Sequence, residues 1–372
     1  MKEQKNKVTG LSLGVLLIVI VLGFGLLIGL TQAQGSQNLN SDVNATTNPY
    51  YNFYFNDSGT LLYYSGEEQD VTVPTTYTIA DRYETRTIEF TNFYDINTFT
   101  QQAGITEYKI SDLSEEISYP WGGSYYIQSW EVQFSIKPAI EGTDIITTSI
   151  GVNAFYNNQY ITNVILPDTV TTIDDYAFAN SSLQTISLST NLQSIGNMAF
   201  QQAQINAFEM PNSVTYVGYG IFQNCYELTD VTLSENLEEV SSSMFWFCEN
   251  LQNITLPERI RTINSQAFYY CYNLTNINLP STLETIGSQA FYYCMNLQNI
   301  TIPASVYNIG SSAFMECYGL AYMVVERITP PSINGSIINT AIIVYVPDSA
   351  LTQYQNSSWA MYELRAVSEL NI

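Results

Sequence analysis

A small or apolar residue followed by phenylalanine recurs eight times along the middle of the chain. The phenylalanines are Phe155, Phe178, Phe200, Phe222, Phe245, Phe268, Phe291 and Phe314. Successive copies are 22 or 23 residues apart, and chance does not hold such a register over eight copies. A fixed period of roughly 20–50 residues is the sequence signature of a repeat architecture. The pattern therefore predicts a solenoid built from stacked units of one length.

The unit that starts at Phe268 shows how apolar and polar positions are distributed within one repeat. Its apolar positions are Phe268, Cys271, Leu274, Ile277, Leu279, Leu283, Ile286 and Ala290. Between Leu274 and Leu279 apolar and polar residues alternate, and Pro280 follows, which predicts a short strand that ends at a residue unable to continue a ladder. Gly287 marks a turn, and the segment after it is predicted to form one short helical turn on the opposite side. A single unit cannot bury its own apolar face, so the units must stack.

Ten positions of this unit and the start of the next form the pattern LxxIxLPxxLxxIGxxAFxxC. They are Leu274, Ile277, Leu279, Pro280, Leu283, Ile286, Gly287, Ala290, Phe291 and Cys294. The pattern resembles the BspA-type leucine-rich repeat, and the resemblance covers about residues 145–325. Residues 61–74 resemble the atypical first repeat of that family, and residues 344–359 resemble its closing cap. The resemblance implies an extracellular binding or adhesion protein of mucosal microbes, without catalytic activity.

The predicted fold class is a leucine-rich-repeat solenoid, with one β-strand and one short helical turn in each unit of about 23 residues. A β-rich N-terminal cap precedes the array, and a short helical C-terminal cap follows it. Asp348 is predicted to cap a helix that extends through Tyr354 to Leu364 and closes the open end of the array. An insertion at about residues 80–139 matches no pattern.

The N-terminus carries a membrane-directing signal. Lys2, Lys5 and Lys7 precede an uncharged apolar run at residues 11–30. A helix of that length reaches roughly 30 Å and can span a bilayer, and the lysines place its N-terminal end in the cytoplasm. The length favours a retained signal anchor, whereas a signal peptide cleaved near Ala33 is the alternative. Both alternatives place the rest of the chain at the cell surface or outside the cell.

These signals divide the chain into six segments. They are a cytoplasmic tail (1–10), a transmembrane signal anchor or signal peptide (11–30), a linker (31–49), an N-terminal cap with an insertion (50–144), the leucine-rich-repeat array (145–325) and a C-terminal cap (326–372).

Charge and composition exclude several classes of function. The chain has 11 basic and 34 acidic residues and a formal net charge of −23, which disfavours nucleic-acid binding because that needs clustered cations. It contains no histidine, which excludes hydrolases with a His base and most zinc and transition-metal sites. There is no phosphate-binding glycine loop and no calcium loop. We therefore predict no catalytic residue, no cofactor and no metal site.

All five cysteines occupy the same position of successive repeats. They are Cys225, Cys248, Cys271, Cys294 and Cys317. Disulfides are one interpretation, because the chain is predicted to leave the cytosol. The favoured interpretation is a column of small buried side chains, because parallel Cβ directions on adjacent units do not suit a bridge and the count is odd.

Aromatic residues cluster directly after the repeat phenylalanine in three consecutive units. The candidate ligand-binding aromatic ridge consists of Trp246, Phe247, Tyr269, Tyr270, Tyr292 and Tyr293. Flat apolar rings with polar tips suit a protein partner or a sugar. The alternative, which cross-strand aromatic pairing favours, is that the rings stack between units and stiffen the solenoid.

A second candidate surface is formed by the strand positions that point away from the core. On the predicted concave face these positions carry mostly neutral polar residues, and the candidates for ligand binding are Asn253, Thr255, Asn276, Asn278, Asn299 and Thr301. Repeat proteins often bind ligands on such faces. A solvated sheet face without a ligand is the alternative.

Two classes of function remain open. The first is an adhesin-like binding module for an extracellular protein or glycan, attached to its own membrane through residues 11–30. The second is a structural component of the cell envelope without a dedicated ligand. A weaker third hypothesis is an enzyme in the insertion, which would need converging carboxylates in a cleft.

Overall fold

The computed structural model describes residues 53–55, 58–64, 66–78, 84–90, 108–112, 115–118, 124–127, 130–136, 144–339 and 341–370. The predicted membrane segment at 11–30 and the linker at 31–49 lie outside the described residues. Among the residues that are described, none belongs to a helix with the length and apolar character that a bilayer crossing needs.

The strands predicted for the repeats lie along one side of the solenoid, called here the first ladder, in three parallel sheets of three, three and four strands. One division between sheets lies between Thr185–Ser187 and Ala207–Glu209. The register within a sheet places residue above residue: Val164 pairs with Val71 on one side and with Ile186 on the other. These central residues point into the core, and their neighbours point outward. The strands are Asp70–Thr72, Asn163–Ile165, Thr185–Ser187, Ala207–Glu209, Asp230–Thr232, Asn253–Thr255, Asn299–Ile302, Tyr322–Val325, Ile343–Val346 and Glu363–Ala366.

One predicted strand is absent from the first ladder. Residues Asn276 to Leu279 make no backbone hydrogen bond to the unit before or after them, although Gln298 N still donates to Thr275 O at 3.1 Å. Ile277 nevertheless remains buried in the core. Because core packing and the other two sides already hold this unit, the ladder can open here. The prediction of a strand between Leu274 and Leu279 is therefore wrong for this unit and correct for its neighbours.

A second set of parallel strands, called here the second ladder, follows in each unit and was not predicted from the sequence. It is divided into two sheets between Tyr216–Val217 and Glu239–Val240. Its members are mostly two residues long and contain a single inward-facing residue, such as Ile286 after Thr285. The strands are Thr60–Tyr64, Ser149–Ile150, Thr172–Ile173, Ser194–Ile195, Tyr216–Val217, Glu239–Val240, Thr262–Ile263, Thr285–Ile286, Asn308–Ile309 and Ser332–Ile333. Strand Phe53–Phe55 pairs antiparallel with Thr60–Tyr64 and covers the N-terminal edge.

The third side of each unit, around the repeat phenylalanine, is a run of turns. The predicted helical turn takes this form because two residues of each unit, four positions apart, have a positive φ, for example Tyr176 (55°) and Asn180 (54°). Successive units are joined by backbone bonds that all run one way: Phe178 N donates to Ala199 O at 2.8 Å, and Phe155 N donates to Ala177 O at 2.7 Å. On this side the N–H groups therefore point towards the following unit.

The core is organised around the column of repeat phenylalanines. All eight rings are fully buried, with centroids of successive rings 4.7–5.8 Å apart and planes within 18° of parallel. The other predicted apolar positions of the unit from Phe268 to Ala290 are also buried, except Leu279, which is partly buried. The stacked apolar faces form one continuous core, as the repeat pattern predicts.

The insertion leaves and rejoins the solenoid through a pair of antiparallel strands, Thr76–Thr78 and Asp144–Ile146. The insertion contains a three-stranded antiparallel sheet with Trp130–Ile136 as its central strand. Two further strands pair with each other in a separate antiparallel hairpin. The sheet strands are Glu84–Phe90, Trp130–Ile136 and Tyr108–Asp112, and the hairpin strands are Glu115–Ser118 and Ser124–Ile127.

The C-terminal cap contains less helix than the sequence predicts. A short α-helix, Leu351–Gln355, is flanked by 3-10 turns at Asp348–Ala350 and Ser358–Met361, and a last 3-10 turn spans Val367–Glu369. Asp348 does not cap the helix: its carboxylate accepts from Ser368 N at 3.1 Å. The helix ends before Leu364 because that residue belongs to strand Glu363–Ala366, which extends the first ladder.

Candidate binding surface

The aromatic ridge lies on the third side, and the backbone of each unit positions it. The repeat phenylalanine, for example Phe268, points inward and is fully buried, while the next two residues, Tyr269 and Tyr270, point outward and are half-buried. The same arrangement holds in the units of Phe245 and Phe291. All six predicted ridge residues are therefore brought together on one surface.

The ridge consists of two parallel columns of stacked rings. In the first column Tyr269 lies between Trp246 and Tyr292, with ring centroids 6.1 and 5.1 Å apart. In the second column Tyr270 lies between Phe247 and Tyr293, at 4.3 and 4.5 Å and within 11° of parallel. The rings therefore stack between units and are half-buried, and ligand binding by the ridge stays a prediction.

Stacking decides which part of each ring a ligand can reach. The faces of Tyr269 and Tyr270 are covered by neighbouring rings on both sides. What remains accessible is the ring edge, which carries partial positive charge, and the hydroxyl group. A sugar ring that packs flat on an aromatic face has no free face at these two residues.

The ridge is a local feature of three units and not a property of the fold. At the same two positions the unit of Phe200 has Gln201 and Gln202, and the unit of Phe222 has Gln223 and Asn224. Those units form the same backbone bonds and bury the same core. Closing the solenoid therefore does not require aromatic residues here.

The second column is built at a position with an unfavourable backbone for large side chains. Phe247, Tyr270 and Tyr293 have φ values of 58°, 61° and 61°. The left-handed region costs an ordinary residue about 1–2 kcal/mol and is most readily adopted by Gly, Asn and Asp. Asparagine occupies the equivalent position in three other units, Asn157, Asn180 and Asn224.

The raised pKa values of three ridge tyrosines, Tyr269, Tyr270 and Tyr292, keep their hydroxyl groups protonated at neutral pH. Burial, followed by the neighbouring tyrosines, raises the pKa of Tyr269 and of Tyr292. The same causes raise the pKa of Tyr272, whose ring meets Tyr270 edge to face, to about 12. Each hydroxyl can therefore donate as well as accept a hydrogen bond.

The other candidate surface, the outward face of the first ladder, lies on a different side of the unit. Five of the six predicted residues are exposed, and Asn299 is half-buried. Asn253 donates to Asp230 Oδ1 at 2.7 Å, so part of this face is internally paired. A shallow groove of about 210 Å³ lies where the ladder opens, between Asn276, Asn278 and Thr301. The structure does not bring this face and the ridge together.

The cysteines form a buried column beneath the ridge. All five thiols are free and buried, as the favoured interpretation predicts, and each donates to the carbonyl of the phenylalanine one unit earlier, for example Cys271 Sγ to Phe245 O at 3.2 Å. Burial raises the pKa of every thiol from Cys225 to Cys294, to about 12 for Cys225. Within the described residues, no cluster of three or more His, Cys, Asp or Glu side chains could hold a metal ion.

The sequence did not single out a groove of about 500 Å³ along the second ladder. It contains Arg259 and Arg261, the only basic residues between positions 145 and 325. Arg259 pairs with Glu238 at 3.1 Å, and Arg261 pairs with Glu284 at 2.5 Å. The two arginines, isolated in an acidic array, are the feature of the sequence from which this groove could have been predicted. The hypothesis of an enzyme site in the insertion concerns side chains outside the described residues.

Several solved structures are similar to this chain at low identity. A leucine-rich repeat protein from Bacteroides ovatus is 18% identical to this chain. The match covers 81% of this chain and 79% of that protein, with a TM-score of 0.44. A leucine-rich repeat protein of T. pallidum is 20% identical, with 68% and 90% covered and a TM-score of 0.46. A leucine-rich cell surface protein from Faecalibacterium prausnitzii is 18% identical, with 86% and 93% covered and a TM-score of 0.44. No curated protein matches the chain significantly.

The family model for the BspA-type leucine-rich repeat region matches six copies, at residues 148–272 and 239–341. Together these residues make up just over half of the chain and coincide with the stacked units of the solenoid. The protein belongs to the BspA-type leucine-rich-repeat family.

Proposed function

We propose that the protein is a surface-displayed binding module that recognises an extracellular ligand through the aromatic ridge. Proteins with BspA-type repeats are typically surface repeat proteins, and such repeats are generally scaffolds without catalytic activity. Display outside the membrane rests on the N-terminal signal, with residues 11–30 as a single-pass anchor or, after cleavage near Ala33, as a removed signal peptide.

The observation that carries the proposal is the placement of aromatic rings where the fold does not require them. Phe247, Tyr270 and Tyr293 occupy left-handed positions at a backbone cost, whereas the units outside the ridge have Asn, Gln or Glu there. Strained positions that persist are often functional. Half-exposed tyrosines and a tryptophan are also the residues enriched where proteins bind one another.

The accessible chemistry favours a protein ligand over a glycan. Ring edges and hydroxyl groups are exposed, and the flat faces of the two central tyrosines are closed. Peptide carbonyls and side-chain oxygens pair with such edges and hydroxyls. A glycan ligand is better accommodated by the polar groove near Asn278, on the other candidate surface.

The test is binding of the purified full chain, in a mild nonionic detergent, to a panel of extracellular-matrix proteins and glycans. The ridge variant is Tyr269→Gln with Tyr270→Asn, which copies Gln223 and Asn224 of an earlier unit and so preserves the local backbone. The matched control is Tyr216→Thr, an exposed tyrosine on the second ladder where other units carry threonine.

We expect saturable binding to at least one protein, weakened at least tenfold by the ridge variant and unchanged by the control. Binding that the ridge variant leaves intact would move the site to another surface. Glycan binding lost on Asn278→Ala would assign function to the first ladder instead. No binding to any member of the panel would favour a structural component of the envelope.

A further inference from the structure

We infer that the aromatic ridge receives an extended, arginine-rich segment of a partner protein, held by Glu249 at one end of the ridge and Glu316 at the other. This inference rests on the proposed function and names the chemical class of its partner. It is carried by the charges that flank the ridge, by their spacing and by the closed faces of the rings.

Carboxylates flank the ridge at both ends. Glu249 belongs to the unit of Phe245 and is half-buried. Burial of Tyr226 is the largest cause of the raised pKa of that tyrosine, and the charge of Glu249 is the second. Glu316 belongs to the unit of Phe314, accepts a hydrogen bond from the Tyr318 hydroxyl and contributes to the raised pKa of Tyr292. Both groups are thus electrically coupled to the tyrosines around the ridge.

Neither carboxylate has a cationic partner within the described part of the chain. The ion pairs there join Arg259 with Glu238, Arg261 with Glu284, and Arg365 with Glu363. The first two lie along the groove of the second ladder, away from the third side. The ridge is therefore an apolar strip with unpaired negative charge at each end, on a chain whose formal net charge is −23. A cationic partner complements both features.

The spacing fits an extended segment. Three unit steps separate Phe245 from Phe314, and each step is 4.9–5.2 Å between ring centroids. The two carboxylates are thus about 15 Å apart along the solenoid axis, which an extended strand covers with four or five residues at about 3.3 Å each. Two basic residues separated by three or four others would meet both ends at once.

Arginine suits this surface better than lysine. Its guanidinium group binds a carboxylate through two parallel hydrogen bonds, and its methylene stem packs on apolar surface. Here the stems would lie along the exposed ring edges of Tyr269 and Tyr292 while the heads reach the carboxylates. Anionic partners are repelled from the same strip.

The experiment measures binding of synthetic 12-residue peptides to the full chain at low and physiological salt. The probe has two arginines separated by four neutral residues in a Ser/Thr/Gly background, and the comparison peptides carry lysines, glutamates or two adjacent arginines. The ridge variant is Glu249→Gln with Glu316→Gln. The control, Glu209→Gln with Glu235→Gln, removes the same charge from exposed carboxylates that do not flank the ridge.

We expect the spaced arginine peptide to bind most tightly, to weaken as salt rises and to lose about fivefold or more in affinity in the ridge variant. The control should change affinity less than twofold. Equal losses in both variants would show attraction to net charge alone and overturn the inference, as would the absence of peptide binding up to millimolar concentration. If Tyr269→Gln with Tyr270→Asn still abolishes binding to a panel protein, the proposed function stands and only the basic partner is excluded.

Discussion

The hydroxyl group of Tyr362 accepts a hydrogen bond of 2.7 Å from the backbone N–H of Ile337. In earlier units the N–H groups of the third side donate to carbonyls of the following unit, as Phe178 does to Ala199. After the last unit no carbonyl follows, and the tyrosine hydroxyl takes its place. Tyr354 and Trp359 close the same end by donating to the carbonyls of Arg327 and Pro331 at 2.7 and 2.8 Å.

Removal of the Tyr362 hydroxyl should therefore destabilise the protein although the ring stays in place. We expect Tyr362→Phe to lower the free energy of unfolding by about 1–3 kcal/mol, because it leaves the buried N–H of Ile337 unpaired. Urea denaturation followed by circular dichroism measures this. Tyr307→Phe, at an exposed site, is the control and should change the free energy by less than about 0.5 kcal/mol. Equal values for the two variants would contradict this account of the cap.

The left-handed backbone at Tyr270 predicts an unusual order of substitutions. Both Tyr270→Asn and Tyr270→Ala remove the stacked ring, but asparagine tolerates a φ of 61° better than alanine does. We expect the Asn variant to be more stable than the Ala variant by about 0.5–1 kcal/mol in thermal or urea unfolding.

The neighbouring residue provides the control for this comparison. Tyr269 is not among the residues with positive φ, so Tyr269→Asn should have no such advantage over Tyr269→Ala, because neither residue is strained outside the left-handed region. An Asn preference of the same size at both positions would mean that φ is not its cause.

The thiol column makes stability fall in alkaline solution. Burial raises the pKa of four of the thiols in the folded protein, those from Cys225 to Cys294, to about 12 for Cys225, while an unfolded cysteine titrates near about 8.5. Ionisation above that pH therefore favours the unfolded chain, so the stabilisation is complete below pH of about 8.5 and is lost towards the folded pKa. Each thiol contributes a slope of up to about 1.4 kcal/mol per pH unit.

Urea unfolding under reducing conditions at pH of about 7.5 and 9.0, where unfolded tyrosines are still mostly protonated, measures this slope. Cys225→Ala should reduce the loss between the two pH values by about a quarter, since one of the four thiols with a raised pKa is removed. In the folded protein none of the five should react with a thiol reagent at pH 8.5. A slope that is the same with and without Cys225 would contradict this origin.

The opening in the first ladder predicts local differences in hydrogen exchange. The backbone N–H of Ile277 has no backbone acceptor, whereas Val231 lies in a strand paired on both sides. We expect the Ile277 amide to exchange at least about a hundredfold faster than that of Val231 in the native protein. Residue-resolved exchange by NMR checks this, and equal protection at the two sites would show that the ladder is closed in solution.

The sequence predicted the inside of this solenoid better than its outside. Positions such as Phe268 and Leu274 were identifiable because every unit repeats an apolar residue there, and the continuous core requires the same apolar positions in each unit. The second ladder escaped prediction because a pair such as Thr285–Ile286 contains one inward residue, which is too short for an alternation to appear.

The backbone of the third side was also not predicted, although a trace of it is present in the sequence. Asparagine recurs two residues after the repeat phenylalanine, at Asn157, Asn180 and Asn224, and this residue favours the left-handed region. The aromatic residues that replace it in three units hide the signal. Whether those rings stacked or stood free depends on distances between units, which a single repeat does not encode.

The one-way hydrogen bonding of the third side gives every unit the same pair of joining surfaces. Each presents N–H donors forward and carbonyl acceptors backward, over a fully buried phenylalanine. Any unit can therefore follow any other, and only the two ends need dedicated closures. Duplication or deletion of one 23-residue segment by recombination would lengthen or shorten the array by a single step without disturbing either end. A lineage could thus vary how far the molecule reaches, and how many rings its ridge contains, while its stability per step stays constant.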